Sequence, residues 1–142
     1  MKILLLLLFL GLSFCDNEDM MDLFVKCANN QVGKQYLEEL SSRGPNIFSN
    51  SGLVFYCRDQ AGLSLGTIYV SWKRVPNPKV GAHVFGITKD NGHSVSTESL
   101  GIIVSLDPTM VVAGDEEKGI LTKHVLNPQK QFLRIEYHYV DF

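Results

Sequence analysis

Two runs rich in aromatic and β-branched residues dominate the pattern of hydrophobic and polar positions in the middle of the chain. They cover residues 53–56 and 67–72, and a polar, glycine-containing stretch at 58–62 separates them. Aromatic and β-branched side chains fit a pleated, half-buried surface, and glycine supplies turn conformations. The pattern therefore predicts a β-hairpin over residues 51–76, around which the rest of the chain is organised.

Further strands are predicted downstream of this hairpin. The clearest is residues 132–140, where apolar and polar side chains alternate as in a half-exposed strand. Residues 115–126 fit either a helix or a strand, and the sequence leaves both open. The other predicted strands are 82–88, 94–96, 100–106 and 110–113, with a tight turn at 89–92.

Upstream of the hairpin the pattern is helical. Residues 20–27 place apolar side chains at helical spacing behind an acidic cluster that suits a helix N-terminus. A second short helix is predicted over 35–40, because glycine and proline at 44–45 would stop it. The predicted class is therefore α+β, a single sheet-dominated domain: a helical preface at residues 16–50 and a sheet-rich domain at 51–142.

The first 15 residues do not belong to that domain. Lys2 precedes an apolar run at 3–10, and the small residues Ser13 and Cys15 stand before a plausible cut, as in a secretory signal peptide. The run is shorter than the roughly 20 residues that a transmembrane helix needs. A lipid-modified Cys15 is the alternative, which Phe14 disfavours. We expect a secreted protein with no membrane attachment after cleavage.

Removing residues 1–15 changes the charge and the cysteine count. The full chain has 13 basic and 15 acidic side chains, and the removed segment contains Lys2. The mature chain thus lacks the basic excess that binds phosphate backbones nonspecifically, although its four histidines would add positive charge in acid. Two of three cysteines remain, and this pair, Cys27 and Cys57, predicts one disulfide in an exported chain, with reactive thiols as the alternative.

No catalytic, phosphate-binding or calcium-binding motif occurs, and no Cys-x-x-Cys or His-x-x-x-His pair predicts a metal site. No catalytic residue, metal or cofactor is therefore assigned. Trp72, the one tryptophan, is interpreted as core or hairpin packing, with a stacking platform for bases as the alternative.

The four histidines are scattered along the chain. His83 and His138 alternate with apolar residues, so each is interpreted as a partly exposed sheet residue, with a ligand or proton shuttle as the alternative. His93 lies beside a turn and is expected to be solvated. His124 follows Lys123, and this base and cation could together contact a phosphate; a solvated amphipathic face is the alternative.

The segment Cys57-Arg-Asp-Gln-Ala-Gly62, followed by Trp72-Lys73 and Pro76, resembles mature chains of the deoxyribonuclease II family. The resemblance extends over residues 53–142. Looser matches follow at 81–85, 89–92, 119–122 and 132–141.

The resemblance implies the amino-terminal part of a phospholipase D-like α/β fold, a secreted or lysosomal or endosomal protein, and DNA as its partner. The family's acid endonucleases use two histidines in His-x-Lys motifs, one forming a covalent phospho-intermediate and the other serving as acid and base. This chain contains no His-x-Lys, and Thr122-Lys123-His124 has the residue types in another order. The implied protein is therefore catalytically incomplete.

Two alternatives do not depend on the resemblance. The first is a secreted β-rich binding or effector protein without enzymatic activity, whose extracellular partner is unknown. The second is an enzyme of another type that uses His124 or His138.

Overall fold

Two α-helices pack against one face of an eight-stranded β-sheet in the computed structural model, which describes residues 17–65, 68–69, 71–127 and 131–141. The signal peptide predicted for residues 1–15 lies outside the described residues. The helices are α1 (Asn17–Asn30) and α2 (Asn50–Gln60), and a short 3₁₀ helix covers Glu38–Leu40. The strands are β1 (Gln35–Tyr36), β2 (Ile47–Phe48), β3 (Ser64–Leu65), β4 (Ile68–Tyr69), β5 (Ser71–Val75), β6 (His83–Asp90), β7 (Val95–Ser105), β8 (Met110–Asp115), β9 (Ile120–Val125) and β10 (Arg134–Asp141).

The sheet order is β2-β1-β9-β8-β7-β6-β10-β5. Strands β6 to β9 form an antiparallel meander in which each strand pairs with the next. Strand β10 lies between β6 and β5 and is antiparallel to both, whereas β1 and β2 pair in parallel at the other edge. A separate two-stranded sheet consists of β3 and β4. This architecture confirms the predicted α+β class and its sheet-dominated single domain.

The first half of the predicted hairpin is wrong, because Asn50–Gln60 forms a helix. Ser49 caps it: the Ser49 hydroxyl accepts a hydrogen bond from the Gly52 amide at 2.9 Å, which satisfies one of the first free N–H groups. Gly52 also packs directly on the Ser42 carbonyl, where a side chain would clash. Burial of one helical face outweighs the strand preference of the aromatic and β-branched side chains. The buried apolar residues of the helix are Leu53, Val54 and Cys57.

The second predicted helix, at 35–40, is wrong at Gln35–Tyr36, which form β1, and is reduced to the 3₁₀ helix at Glu38–Leu40. The Tyr36 amide donates to the Gly119 carbonyl and the Leu37 amide donates to the Phe48 carbonyl, both at 2.9 Å, so neighbouring strands take the backbone donors that a helix would use. The open segment 115–126 forms a turn and then β9. The strands predicted at 82–88, 110–113 and 132–140 are confirmed as β6, β8 and β10, and those predicted at 94–96 and 100–106 are parts of one continuous strand, β7.

The predicted disulfide is present and joins the two helices. Cys27 in the last turns of α1 and Cys57 in α2 have Cα atoms 5.5 Å apart and are separated by 30 residues in the chain. Both side chains are buried in the main hydrophobic core. Fully buried members of that core are Phe24, Ala28, Phe48, Leu53, Cys57, Leu63, Ile102, Val112 and Leu121.

The N-terminal end of α2 is attached to the sheet by Asn50, a buried amide side chain. Its Nδ2 donates to the Ser99 carbonyl at 3.0 Å, and its Oδ1 accepts from the Gly114 amide at 2.7 Å. Ser99 and Gly114 lie on β7 and β8, beyond the last Cα pair of these strands, Ile102 and Val112. The amide of Asn50 therefore bridges two strands at the point where their own pairing ends.

None of the helices in the part of the chain that the structure describes is long and apolar enough to cross a lipid bilayer.

Replacing both bridged cysteines by alanine should lower the free energy of unfolding by about 3 to 4 kcal/mol, because the disulfide restricts a loop of this length in the unfolded chain. Urea unfolding of the double variant Cys27→Ala/Cys57→Ala and of the oxidised protein measures the difference. Reduced wild-type protein serves as a control and should behave like the variant. A difference below about 1 kcal/mol would contradict this expectation.

Candidate functional site: a pocket with two histidines and an arginine

A pocket of about 290 Å³ lies between α2 and the part of the sheet where β6, β10 and β5 are neighbours. Its helix wall consists of Ser51, Val54, Phe55 and Arg58. These positions are spaced by three, one and three residues, so they form one stripe along the helix. The stripe is the face of α2 next to the one that carries Leu53 and the disulfide.

The opposite wall consists of side chains from three strands. His83 and Phe85 are two residues apart on β6 and therefore point to the same face of the sheet. His138 on β10 is the register partner of His83, and Trp72 comes from β5 on the far side of β10. The Phe85 ring centre is 4.0 Å from that of His83 and 4.9 Å from that of His138. We call this cavity the imidazole pocket.

His83 is almost completely buried, and its imidazole is held by one polar contact. Its Nε2 lies 2.6 Å from the hydroxyl of Ser99 on the neighbouring strand β7. Burial, and then the positive charges of His138 and Arg58, lower the pKa of His83 to about 3. His83 is therefore a neutral ring throughout the physiological range of pH.

His138 is oriented by a carboxylate on its own strand. Its Nε2 lies 3.2 Å from Oε1 of Glu136. Arg134 Nε donates to the other oxygen of Glu136 at 2.9 Å, and Arg74 Nη1 lies 3.5 Å from that oxygen. Burial raises the pKa of Glu136, but the hydrogen bonds from Arg134 and His138 and the charge of Arg74 outweigh it and hold the pKa below its usual range. Glu136 thus remains a carboxylate that fixes the His138 ring.

Arg58 places a guanidinium in the same pocket. Its Cζ lies 5.3 Å from the centre of the Trp72 ring, a cation–π distance. Burial lowers the pKa of Arg58, and the charge of Asp59 acts in the opposite direction. The guanidinium of Arg43, which is not among the lining residues, lies 4.3 Å from the centre of the Phe55 ring. The aromatic lining of the pocket is therefore in contact with two cations.

The other two histidines lie elsewhere. His124 Nδ1 is 2.8 Å from the Thr122 hydroxyl on β9, and adjacent residues of a strand point to opposite faces, so Lys123 and His124 do not converge on one phosphate. His93 is exposed in the β6–β7 turn, as expected. Within the described ranges, no group of three or more His, Cys, Asp or Glu side chains is close enough to hold a metal ion.

The sequence did not reveal that His83, His138 and Arg58 meet. His83 and His138 belong to strands that are far apart in the chain, and the sequence pattern predicts a hairpin turn at Arg58. The prediction that Trp72 packs in the core is partly confirmed, because its ring lies 5.6 Å from that of Phe24 while it also lines the imidazole pocket. The feature of the sequence that indicates the helix wall of the pocket is the helical spacing of Ser51, Val54, Phe55 and Arg58.

The sequence matches no model of a known protein family, and no curated protein matches it.

His83 should make the protein less stable as the pH falls. Its pKa is about 3 in the folded protein and about 6.5 in an unfolded chain, so between these values the unfolded state binds more protons. The free energy of unfolding should therefore decrease on acidification through this window, by up to about 1.4 kcal/mol per pH unit from this residue. Above about pH 6.5 the residue should have no such effect.

Urea unfolding over a series of pH values measures this dependence. The His83→Gln variant should show a shallower loss of stability in acid than the wild type. His93→Gln, which removes an exposed histidine, is the matched control and should keep the wild-type slope. Equal slopes for wild type and His83→Gln would rule out the proposed burial of a neutral imidazole.

Proposed function

We propose that this protein is exported and binds a compact, largely apolar small molecule in the imidazole pocket without transforming it. The observation that carries the proposal is the convergence of Phe55, Trp72 and Phe85 on one cavity of about 290 Å³. This volume is near the lower limit of about 300 to 1,000 Å³ found for ligand pockets. It suits a molecule of one or two rings.

The hydrogen bonds of the imidazoles favour binding over turnover. The Nε2 atoms of both rings are engaged with protein groups, His83 with Ser99 and His138 with Glu136. These contacts fix the ring planes and present flat, aromatic surface to the cavity. A wall of fixed rings is typical of a site that recognises a planar ligand.

The disulfide supports the export part of the proposal. Disulfides form and persist in oxidising compartments, and Cys27–Cys57 joins two elements of the main core. Together with the predicted signal peptide, it favours secretion or residence in the lumen of an organelle.

Trp72 provides a direct test, because it is the one tryptophan of the chain and lines the pocket. Titration with benzyl alcohol should change its fluorescence and reach saturation. Ser51→Phe should abolish the change, because the new ring fills the cavity from the helix wall. Gln60→Phe adds the same ring at an exposed position of α2 and should leave the titration unaltered. A wild-type protein without a saturable response would refute the binding proposal.

A second candidate function is phosphodiester hydrolysis, as implied by the resemblance to the deoxyribonuclease II family. It is favoured by the register pairing of His83 with His138 beside Arg58. With a pKa of about 3, His83 stays unprotonated in acid, as a nucleophilic imidazole must, and Arg58 would attract a phosphate. The pairing offers two imidazoles without any His-x-Lys motif.

Plasmid DNA at about pH 5, without added metal, separates the two candidates. Hydrolysis predicts nicking by the wild type, loss of nicking in His138→Gln, and wild-type nicking in His93→Gln. Binding that weakens with salt but leaves the plasmid intact would indicate a DNA-binding protein without turnover. An unchanged and unbound plasmid would eliminate the hydrolytic candidate and leave the small-molecule proposal.

A further inference from the structure

The turn between β6 and β7 contains an asparagine followed by a glycine, Asn91 and Gly92, in a fully exposed part of the chain. Gly92 has a φ of 83°, and a Cβ added to it would meet nothing within 4 Å. Glycine has no side chain, so residue 92 puts no Cβ between its own backbone nitrogen and the carboxamide of Asn91. This is the residue pair in which an asparagine can most readily react with the main chain.

The side-chain carbonyl of Asn91 is polarised by donors of the same turn. Its Oδ1 accepts hydrogen bonds from the His93 amide at 2.9 Å and from the Ser94 amide at 2.8 Å, and the Ser94 hydroxyl lies 3.4 Å away. Donors fixed around a carbonyl oxygen stabilise the negative charge that develops there when a nucleophile attacks the carbon. The turn therefore forms an oxyanion hole for the Asn91 carboxamide.

Asp90, at the end of β6, places a base beside the nucleophile. Its Oδ1 accepts a hydrogen bond from the Gly92 amide at 3.0 Å, and its Oδ2 accepts one from Arg134 Nη1 at 2.9 Å. The hydrogen bonds from the Gly92 amide and from Arg134 hold the pKa of Asp90 below its usual range, so the group is a carboxylate at neutral pH. A carboxylate at hydrogen-bond distance from an N–H group can accept its proton.

We propose that Asn91 is a site of self-modification, at which the folded turn accelerates conversion of the asparagine to a succinimide and then to aspartate or isoaspartate. The proposal is carried by the juxtaposition of the Asp90 carboxylate, the Gly92 amide and the two backbone donors to Asn91 Oδ1. It is independent of the imidazole pocket and of what that pocket binds.

The reaction consumes only water. Asp90 accepts the proton of the Gly92 amide, the Gly92 nitrogen forms a bond to Cγ of Asn91, and the carbonyl electron pair moves to Oδ1. When the carbonyl reforms, the Cγ–Nδ2 bond breaks, and Nδ2 takes the proton from Asp90 and leaves as ammonia. Water then opens the succinimide at one of its two carbonyls. No oxidation or reduction occurs, and the Asp90 carboxylate is restored.

Both products change the surface of the hairpin. Each has a carboxylate at position 91, next to Asp90, where the chain had a neutral amide. In isoaspartate the main chain also passes through the former side chain and is longer. Because loop length sets the register of a hairpin, this product should disturb the pairing of Asp90 with Val95.

The test compares the rate of amide loss at Asn91 in the folded wild-type protein and in the same chain unfolded in urea, at the same neutral pH and temperature. Peptide mapping by mass spectrometry measures succinimide, aspartate and isoaspartate. The folded protein should react about tenfold faster, because only the folded turn fixes the base and the donors. An equal or slower rate in the folded protein would overturn the proposal and show that these hydrogen bonds protect the amide.

Two variants test the role of Asp90. Asp90→Ser keeps an oxygen that can accept from the Gly92 amide but removes the base, and it should react at the rate of the unfolded chain. Arg134→Gln is the matched control: it removes the ion pair with Asp90 and leaves the carboxylate, so it should keep at least the wild-type rate. Circular dichroism checks that both variants are folded. A fast rate in Asp90→Ser, or a slow rate in both variants, would overturn the assignment of Asp90 as the base.

Discussion

The fixation of α2 at both ends is the constraint on which the rest of the structure depends. At its start, the amide of Asn50 bridges β7 and β8, and near its end Cys57 is bonded to Cys27 of α1. The residues that form the helix wall of the imidazole pocket lie between or directly beside these two attachments. Because the helix can neither slide nor rotate without breaking one of them, the distance between Arg58 and the sheet is set by the scaffold.

The sheet wall has its own source of rigidity. His83 and His138 are register partners, each ring is held by one polar contact, and Phe85 packs against both. The two imidazoles have different surroundings: Ser99 offers His83 a neutral hydroxyl in the interior, while Glu136 offers His138 a charged partner near the surface. Two chemically identical side chains at paired register positions thus have different electrostatic surroundings.

The sequence predicted those features that depend on local pattern. The alternation in 132–140 and the apolar run at 100–106 predict strands, and the structure contains them. The turn predicted at 89–92 lies at 91–94, because β6 continues to Asp90. With residues 1–15 excluded, two cysteines remained, so their pairing followed from the count. The class of the fold was accessible because most of the chain after residue 80 has strand periodicity.

The predictions that failed concern segments in which the local secondary-structure preference competes with burial in the tertiary structure. Residues 53–56 have strand-forming side chains, yet the run of cap-forming residues that begins at Ser49 was a helix-start signal that the strand interpretation overrode. The strand interpretation predicts a turn at Arg58, so it does not group Arg58 with Ser51 on one helix face. The meeting of His83 and His138 requires the register of two strands that are distant in the chain, which periodicity does not contain.

The position of β10 determines the order in which a newly made chain can assemble. This strand follows all the other described strands in sequence, yet it lies between β6 and β5. On the ribosome, the meander β6 to β9 can form while β5 still has no neighbour to join, and Trp72 stays outside the sheet until β10 emerges. Contacts between segments so distant in sequence form slowly, so the sheet wall of the imidazole pocket is the last part of the described sheet to close.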